Sequence, residues 1–372
     1  MRKSIFQNYC LRACLLVVLS ISLHHVSADT SPARPKTFHV PSPVSYASVH
    51  GIVLVSPDEL WISRSDKMNA PVYLEIWDTD KMVRKSILRP PGFATQRQVL
   101  GAASNGQFIT GYDTNENALL WRIGNKQSSN LGIQFWSSRE FSRSGEDFIV
   151  GISSHKAQPK DGTLLPLKIW KLGQTLTKNE ITIKAPKGFG FVCGGNYLES
   201  DPWFDLSSDG SLGAVAIYQK ADECENDLLY QHILIFNANS GQPLRIIKVS
   251  NNNQLVEFTF MPDGRLALLK NLLVKGTRSS KDAIEIWNPQ TGMLALKFQQ
   301  TAGRLVFSFS PDGRLLATGD QQRIQLWDTQ NGKLLRNIKM PEQRNWTALF
   351  SPDSSTLATF DGYHKLIFWP LH

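Results

Sequence analysis

One pattern recurs seven times along this chain, and it limits what the chain can become more than any bulk property does. A copy near the end reads Phe309-Ser310-Pro311-Asp312-Gly313-Arg314-Leu315-Leu316-Ala317-Thr318, followed by Ile324-Gln325-Leu326-Trp327-Asp328. Each unit contains a turn, an apolar run, a second apolar run and a closing aromatic. The closing aromatics are Trp77, Trp121, Trp170, Phe236, Trp287, Trp327 and Trp369, at intervals of 44, 49, 66, 51, 40 and 42 residues. A unit of this kind cannot bury its own apolar face and must stack on its neighbours. The period brackets the roughly 40–45 residues of a four-stranded propeller blade, with insertions in the middle units.

The punctuation of the repeat has a physical reading. The turn before the second strand is Ser56-Pro57-Asp58, Ser104-Asn105-Gly106, Ser144-Gly145, Ser208-Asp209-Gly210, Pro262-Asp263-Gly264, Pro311-Asp312-Gly313 and Ser351-Pro352-Asp353 in successive units. Proline presets φ, aspartate bonds the backbone and glycine relieves the exit of a type I turn. A second turn follows the closing aromatic, at Asn237 to Gly241, Asn288 to Gly292 and Asp328 to Gly332. Between these turns, Leu315–Thr318, Ile324–Trp327 and Leu334–Ile338 are short and rich in strand formers.

On the Ser-Pro-Asp-Gly turns and the Trp-Asp pairs at Trp77-Asp78 and Trp327-Asp328, residues 37–372 resemble the WD40 repeat family. The resemblance implies an all-β, seven-bladed propeller of four-stranded antiparallel blades. It also implies a protein-interaction scaffold. One departure is visible. No Gly-His pair precedes Phe309 or Phe350, and His50-Gly51 is reversed, so the family's buried Asp-His-Ser-Trp network is not expected here. The last unit stops after its third strand, Lys365–Trp369, with only three residues beyond. Thr37-Phe38-His39-Val40 is therefore predicted to supply the missing strand, closing the ring and removing its exposed edges.

Composition adds a compartment and excludes a partner class. Of 372 residues, 41% are hydrophobic, ample for a core, and the net charge is +8. Arg2, Lys3 and Arg12 precede the first acid, Asp29, so loss of residues 1–28 lowers the charge from +8 by three, to +5. That is a solubility-scale charge rather than a nucleic-acid footprint. Arg2 and Lys3, the uncharged stretch Ala13–Leu23 and the Val26-Ser27-Ala28 tripeptide are the parts of a secretory signal. A retained anchor is the competing reading, but the run is short of the roughly 20 residues of a bilayer span. The expectation is a signal over 1–28, a linker over 29–36 and a propeller over 37–372, exported to the periplasm or beyond. No transmembrane segment would remain, and the chain is expected to be a monomer.

Insertions mark the candidate binding surface. The loops Ser153–Leu165, Gln219–Tyr230 and Lys270–Asp282 and the connector Lys184–Pro202 are long, lie in adjacent blades and are expected on one face. Their candidate contacts for a partner protein are Lys156, Lys160, Phe189, Tyr197, Asp222, Glu223, Lys275 and Arg278. Cys193 and Cys224 fall in neighbouring loops there, and in an oxidising compartment they form a candidate disulfide, with two unpaired thiols as the alternative.

Catalytic signatures are absent from the sequence: there is no Gly-x-Ser-x-Gly elbow, no phosphate-binding loop and no His-Glu-x-x-His. Six histidines outside the leader, His39, His50, His155, His232, His364 and His372, are dispersed over different units. Neither a metal nor another cofactor is expected. The closing aromatics could form a stacking platform, but packing between blades is the simpler role. The reading is a non-enzymatic scaffold. The alternative is a lactonase-like or quinoprotein-like propeller that uses its central channel for catalysis or a small ligand.

Overall fold

A computed structural model of the chain describes residues 34–40, 48–65, 71–94, 107–115, 117–134, 148–152, 163–172, 177–191, 204–219, 232–249, 253–273, 280–298, 306–343, 346–361 and 364–371. Every regular element among them is a strand, and they form seven antiparallel sheets. Each sheet is one blade, with strands following one another outward in chain order. Blade 1 is Ser48–Ser56, Glu59–Ser65, Tyr73–Asp78 and Val83–Leu88. Blade 5 is Asn253–Phe260, Leu266–Leu273, Ser280–Asn288 and Met293–Phe298, blade 6 is Val306–Phe309, Leu315–Gly319, Arg323–Asp328 and Leu334–Lys339, and blade 7 is Thr347–Phe350, Thr356–Phe360 and Lys365–Pro370 with Lys36–His39 as its outer strand. In blades 2 and 3 the described residues supply the second, third and outer strands: Phe108–Tyr112, Asn117–Arg122 and Ser129–Gln134, then Phe148–Ile152, Leu164–Lys171 and Thr177–Lys184. Blade 4 has a split inner strand, Phe189–Gly190 and Phe204–Leu206, both pairing with Leu212–Gln219, which His232–Asn237 and Pro243–Lys248 follow.

The core lies between blades rather than inside any one of them. Seven apolar clusters join blades 1 with 2, 2 with 3, and so on to 7 with 1. An open stack of seven sheets has six such interfaces, so the seventh closes the circle. Every closing aromatic faces the blade before its own. Trp77 packs with Phe360 and Phe368 of blade 7, Phe236 with Leu167 and Ile183 of blade 3, and Trp327 with Phe298 of blade 5, whose rings meet edge to face at 5.7 Å. These aromatics are therefore packing residues and not a ligand platform.

The predicted closure is present. Lys36–His39 pairs antiparallel with Lys365–Pro370, with Lys36 opposite Phe368 and His39 opposite Lys365. The Val40 N–H adds a bond to the His364 carbonyl at 2.7 Å. Phe38 carries the closure across to blade 1, with its ring 5.1 Å from that of Trp77. The strand thus belongs to one blade by hydrogen bonding and braces the next by burial.

The turns explain why the Ser-x-Asp signature repeats. Ser310 Oγ donates to Asp312 Oδ1 at 2.6 Å and accepts from the Leu315 N–H at 2.9 Å, while the Gly313 N–H closes the turn on the Ser310 carbonyl. Ser351 and Asp353 repeat this arrangement. In blade 4 the bonding serine is Ser207, one position ahead of the expected Ser208, because Asp209 must sit two residues after its donor.

Deleting residues 29–41 removes the closing strand and uncovers both Trp77 and the edge of Lys365–Pro370. Thermal and urea melts should show a large global loss of stability. An unchanged midpoint would rule out the closure as a stabilising element.

Candidate functional site

Antiparallel alternation sends the loops between second and third strands, and the connectors between blades, to one end of the ring. The short turns occupy the other end. The loop end is where the expected binding residues belong in the chain order. Lys156, Lys160, Tyr197, Asp222, Glu223, Lys275 and Arg278 fall outside the described residues, as do Cys193 and Cys224 and hence the expected disulfide. Phe189 is described. It begins the split inner strand of blade 4, half-buried, with its ring against that of His232 at 5.1 Å and 72°. His232 opens the third strand immediately after the segment 220–231 and is 5% exposed. The Phe189–His232 pair is thus the packed floor from which the blade 4 insertion departs. Phe191, from the same connector, is fully buried in the interface between blades 3 and 4.

Blade 5 departs from the sequence expectation. Lys270–Asp282 was expected to be a loop, but the hairpin continues through it, pairing Lys270 with Ala283 and Leu273 with Ser280. The segment outside the described residues is only 274–279. An ion pair lies where this extension begins. Lys270, 2% exposed, places its Nζ 2.6 Å from a Glu285 carboxylate oxygen, and Lys297 approaches the other oxygen at 3.8 Å. Trp287 Nε1 also donates to Glu285, at 3.2 Å.

Blade 1 repeats the cation, glutamate and tryptophan at equivalent positions and takes its outer-strand cation from a different one, since Arg84 faces Trp77 whereas Lys297 faces Glu285. Arg64 Nε and Arg84 Nη1 each donate to the Glu75 carboxylate at 2.9 Å, and Trp77 Nε1 donates to it at 3.1 Å. Arg64 and Glu75 are both buried. A carboxylate removed from water needs this full set of donors, since burying it without them costs several kcal/mol. Sequence reasoning missed these groups, although a signal existed. Glu75-Ile76-Trp77 and Glu285-Ile286-Trp287 are the same triplet, and each has a cation in the second strand four residues past the residue facing the tryptophan.

The tryptophan N–H is served differently elsewhere. Trp327 donates to Thr318 at 2.9 Å and Trp369 to Thr359 at 3.0 Å. A threonine hydroxyl on the second strand therefore satisfies the indole in blades 6 and 7 without the histidine that the family resemblance led us to look for. Near the axis, Asp205 on the inner strand of blade 4 accepts from the Phe260 N–H and Thr259 hydroxyl of blade 5, at 2.8 and 2.9 Å. It bonds the two inner strands together. Among the described residues, no group of three or more His, Cys, Asp or Glu side chains is placed to hold a metal ion.

No family model matches the chain. An uncharacterized WD repeat-containing protein of Deinococcus radiodurans is 33% identical over 92 residues, covering 24% of this chain and 35% of that protein. The Pre-mRNA-processing factor 19 homolog 2 of Arabidopsis thaliana is 32% identical over 108 residues, covering 28% of this chain and 18% of that protein. The chain thus spans well under half the length of either relative. Among solved structures, the Cps50 (Swd1) β-propeller domain of Myceliophteria thermophila superimposes with a TM-score of 0.54 and 13% identity, over 91% of this chain and 100% of that one. The chain folds as a seven-bladed β-propeller, and over part of its length it is similar to WD repeat proteins. The same fold accounts for a likeness to Kuenenia stuttgartiensis hydrazine synthase, with a TM-score of 0.54 and 13% identity over 87% of this chain and 96% of that one.

In this propeller the turn acids sit opposite the loop end, and their chemistry is conformational. Asp209 is held below the usual carboxylate range by the Ser207 hydroxyl first and the Ser211 N–H next. Asp58 is lowered in the same way by Ser56. For Asp312, burial pushes upward but the Ser310 hydroxyl and the Arg314 N–H outweigh it. A depressed folded-state pKa contributes stability above the ordinary aspartate range, and that stability is lost as pH falls through the lowered value.

Two expectations follow for this propeller. Glu285→Gln leaves Lys270 buried without a counter-charge and should cost about 3–5 kcal/mol in urea unfolding, while replacing both with Met should cost far less. Asp209→Asn should flatten the loss of stability on acidification below about pH 4, read from melting midpoints across that range.

Proposed function

We propose that this propeller is a non-enzymatic scaffold that binds another protein through its loop end, at blades 3 to 5. The observation that supports this most directly is where the repeat is and is not regular. All seven closing aromatics are committed to blade interfaces, and the turn end is built from short repeated turns. The long, non-repeating segments 153–162, 192–203 and 220–231 depart from the other end, from blades 3 and 4, next to the shorter 274–279 of blade 5. A rigid ring that positions variable loops is the usual arrangement of a recognition surface. The names of its relatives, a WD repeat protein and a Swd1 propeller domain, are in keeping with this reading.

The partner surface in this proposal is charged in patches. Lys156, Lys160, Lys275 and Arg278 flank a blade 4 segment that holds Asp222 and Glu223. Tyr197 adds an aromatic residue to the blade 4 connector, and Phe189, half-buried against His232, would border the surface. Export remains part of the proposal on the strength of the leader, and the Cys193–Cys224 bridge depends on it. Fractionation of the producing cell, with N-terminal sequencing of the product, tests the leader directly.

The partner is to be sought by proximity labelling from the native compartment. Replacing Lys275 and Arg278 together with Ala should then weaken the purified complex severalfold, and added salt should weaken the wild-type complex in the same direction. Unchanged affinity would remove this face from consideration. A stoichiometric metal in the purified protein would favour the channel reading instead.

A further inference from the structure

The outer rim carries a pattern that neither the fold nor the scaffold reading uses. The large apolar side chains exposed among the described residues all lie on outermost strands. Two are in blade 1, Val83 and Ile87. The other five run through consecutive blades: Leu244 in blade 4, Met293 and Leu294 in blade 5, and Leu334 and Leu335 in blade 6. Met293 is 68% exposed, and Leu244 and Leu335 are each 52% exposed. Each of the five lies within three residues of the left-handed glycine that ends the preceding turn, Gly241, Gly292 or Gly332, with φ of 72°, 69° and 73°. They therefore sit at one height on the rim. The blades are continuous there: Arg245 Nε of blade 4 donates to the Gln290 carbonyl of blade 5 at 3.1 Å, and Leu296 of blade 5 lies beside Gly332 of blade 6.

The charge carried by the outer strands is mainly positive, while the acid Asp328 lies in the turn beside Leu334. The seven outermost strands together carry ten Lys or Arg residues and one acid, Glu180. The outer strands of blades 4, 5 and 6 carry no acid at all. Cations alone are ordinary protection of a sheet edge against pairing with another chain. Exposed Met293-Leu294 and Leu334-Leu335 pairs work against that protection, so edge protection does not account for the arc.

We propose that this arc docks on an anionic lipid surface. The rim is convex, and a deformable bilayer can meet a convex edge directly. Leucine and methionine side chains would enter the acyl boundary while the flanking guanidinium and ammonium groups meet lipid phosphates. The connectivity agrees. Blade 7, next to Leu334 and Leu335, takes its outer strand from Lys36–His39, and Lys36 faces Phe368 as Arg336 faces Leu326, each one residue before a closing tryptophan. The outer strand of the ring's last blade thus continues the same rim. The proposal is independent of the loop end, and either can fail without the other.

The test uses residues 33–372, which contain every described strand and all seven interfaces, so that the apolar leader does not itself bind lipid. Co-sedimentation is measured with vesicles of phosphatidylcholine alone and with phosphatidylglycerol added. Wild-type protein should bind the anionic vesicles roughly tenfold or more above the neutral ones, less so at high salt. Met293→Ser with Leu334→Ser and Leu335→Ser should reduce that binding roughly tenfold at an unchanged melting midpoint, and Arg245→Gln with Lys333→Gln should reduce its salt sensitivity. Absence of binding to anionic vesicles, or equal binding by the apolar variant, overturns the proposal. So does a photo-crosslinker at position 335 that captures a protein partner while vesicles are ignored, which would assign the arc to protein instead.

Discussion

Burial between neighbouring sheets is the interaction on which the rest of this molecule depends. No blade has a core of its own, so each sheet is stable only because two others cover its faces. Seven interfaces for seven blades leave no sheet with an uncovered face. At each interface a closing aromatic reaches back to the preceding blade. This is why the repeat tolerates wide variation elsewhere but keeps an aromatic at that position. In blade 4 the aromatic is Phe236, and the residue facing it across the sheet is Gly213 rather than a leucine or isoleucine. A Cβ at Gly213 would lie 2.0 Å from the Phe236 ring, so the ring fills the space a side chain there would need.

The same logic governs the polar groups that the interfaces cover. An indole N–H and the polar side chains around it must be satisfied once they leave water. This chain meets that requirement in two ways. Blades 6 and 7 use a threonine hydroxyl, a neutral acceptor that needs no further partner. Blades 1 and 5 use a glutamate, which in turn requires Arg64 and Arg84 or Lys270 and Lys297. The second solution is more expensive in desolvation and more specific in geometry, because the hydrogen-bonding groups come from three adjacent strands.

The fold was legible in the sequence because its determinants are local and repeated. Ser310-Pro311-Asp312-Gly313 specifies a turn by its own chemistry, and Trp327 marks the strand after it. Even the closing strand could be located, since a unit ending at Trp369 lacks a fourth strand and Thr37–Val40 has one to give. The buried ion pairs were not legible, because they depend on register. Lys270 reads as a solvent-facing loop residue until its strand is aligned with that of Glu285, and only then does it have a counter-charge at 2.6 Å. Phe189 shows the same limit. It looked like part of a long connector, and its half-buried position depends on a two-residue pairing with Tyr218 and Gln219 that no local motif announces. The candidate loops differ again, because they do not repeat and no periodic signal marks their residues.

Pairing Lys36–His39 with Lys365–Pro370 has a consequence for how the protein is made. Lys36–His39 precedes every other described strand, yet it can be seated only once Lys365–Pro370, the strand farthest from it in sequence, has been made. Closing a loop of that length costs roughly 5 kcal/mol of chain entropy by the logarithmic law. Until synthesis finishes, both the oily side of blade 1 and the open edge of blade 7 await their cover. A chain that stops before Lys365 would therefore leave an adhesive seam between the first and last blades.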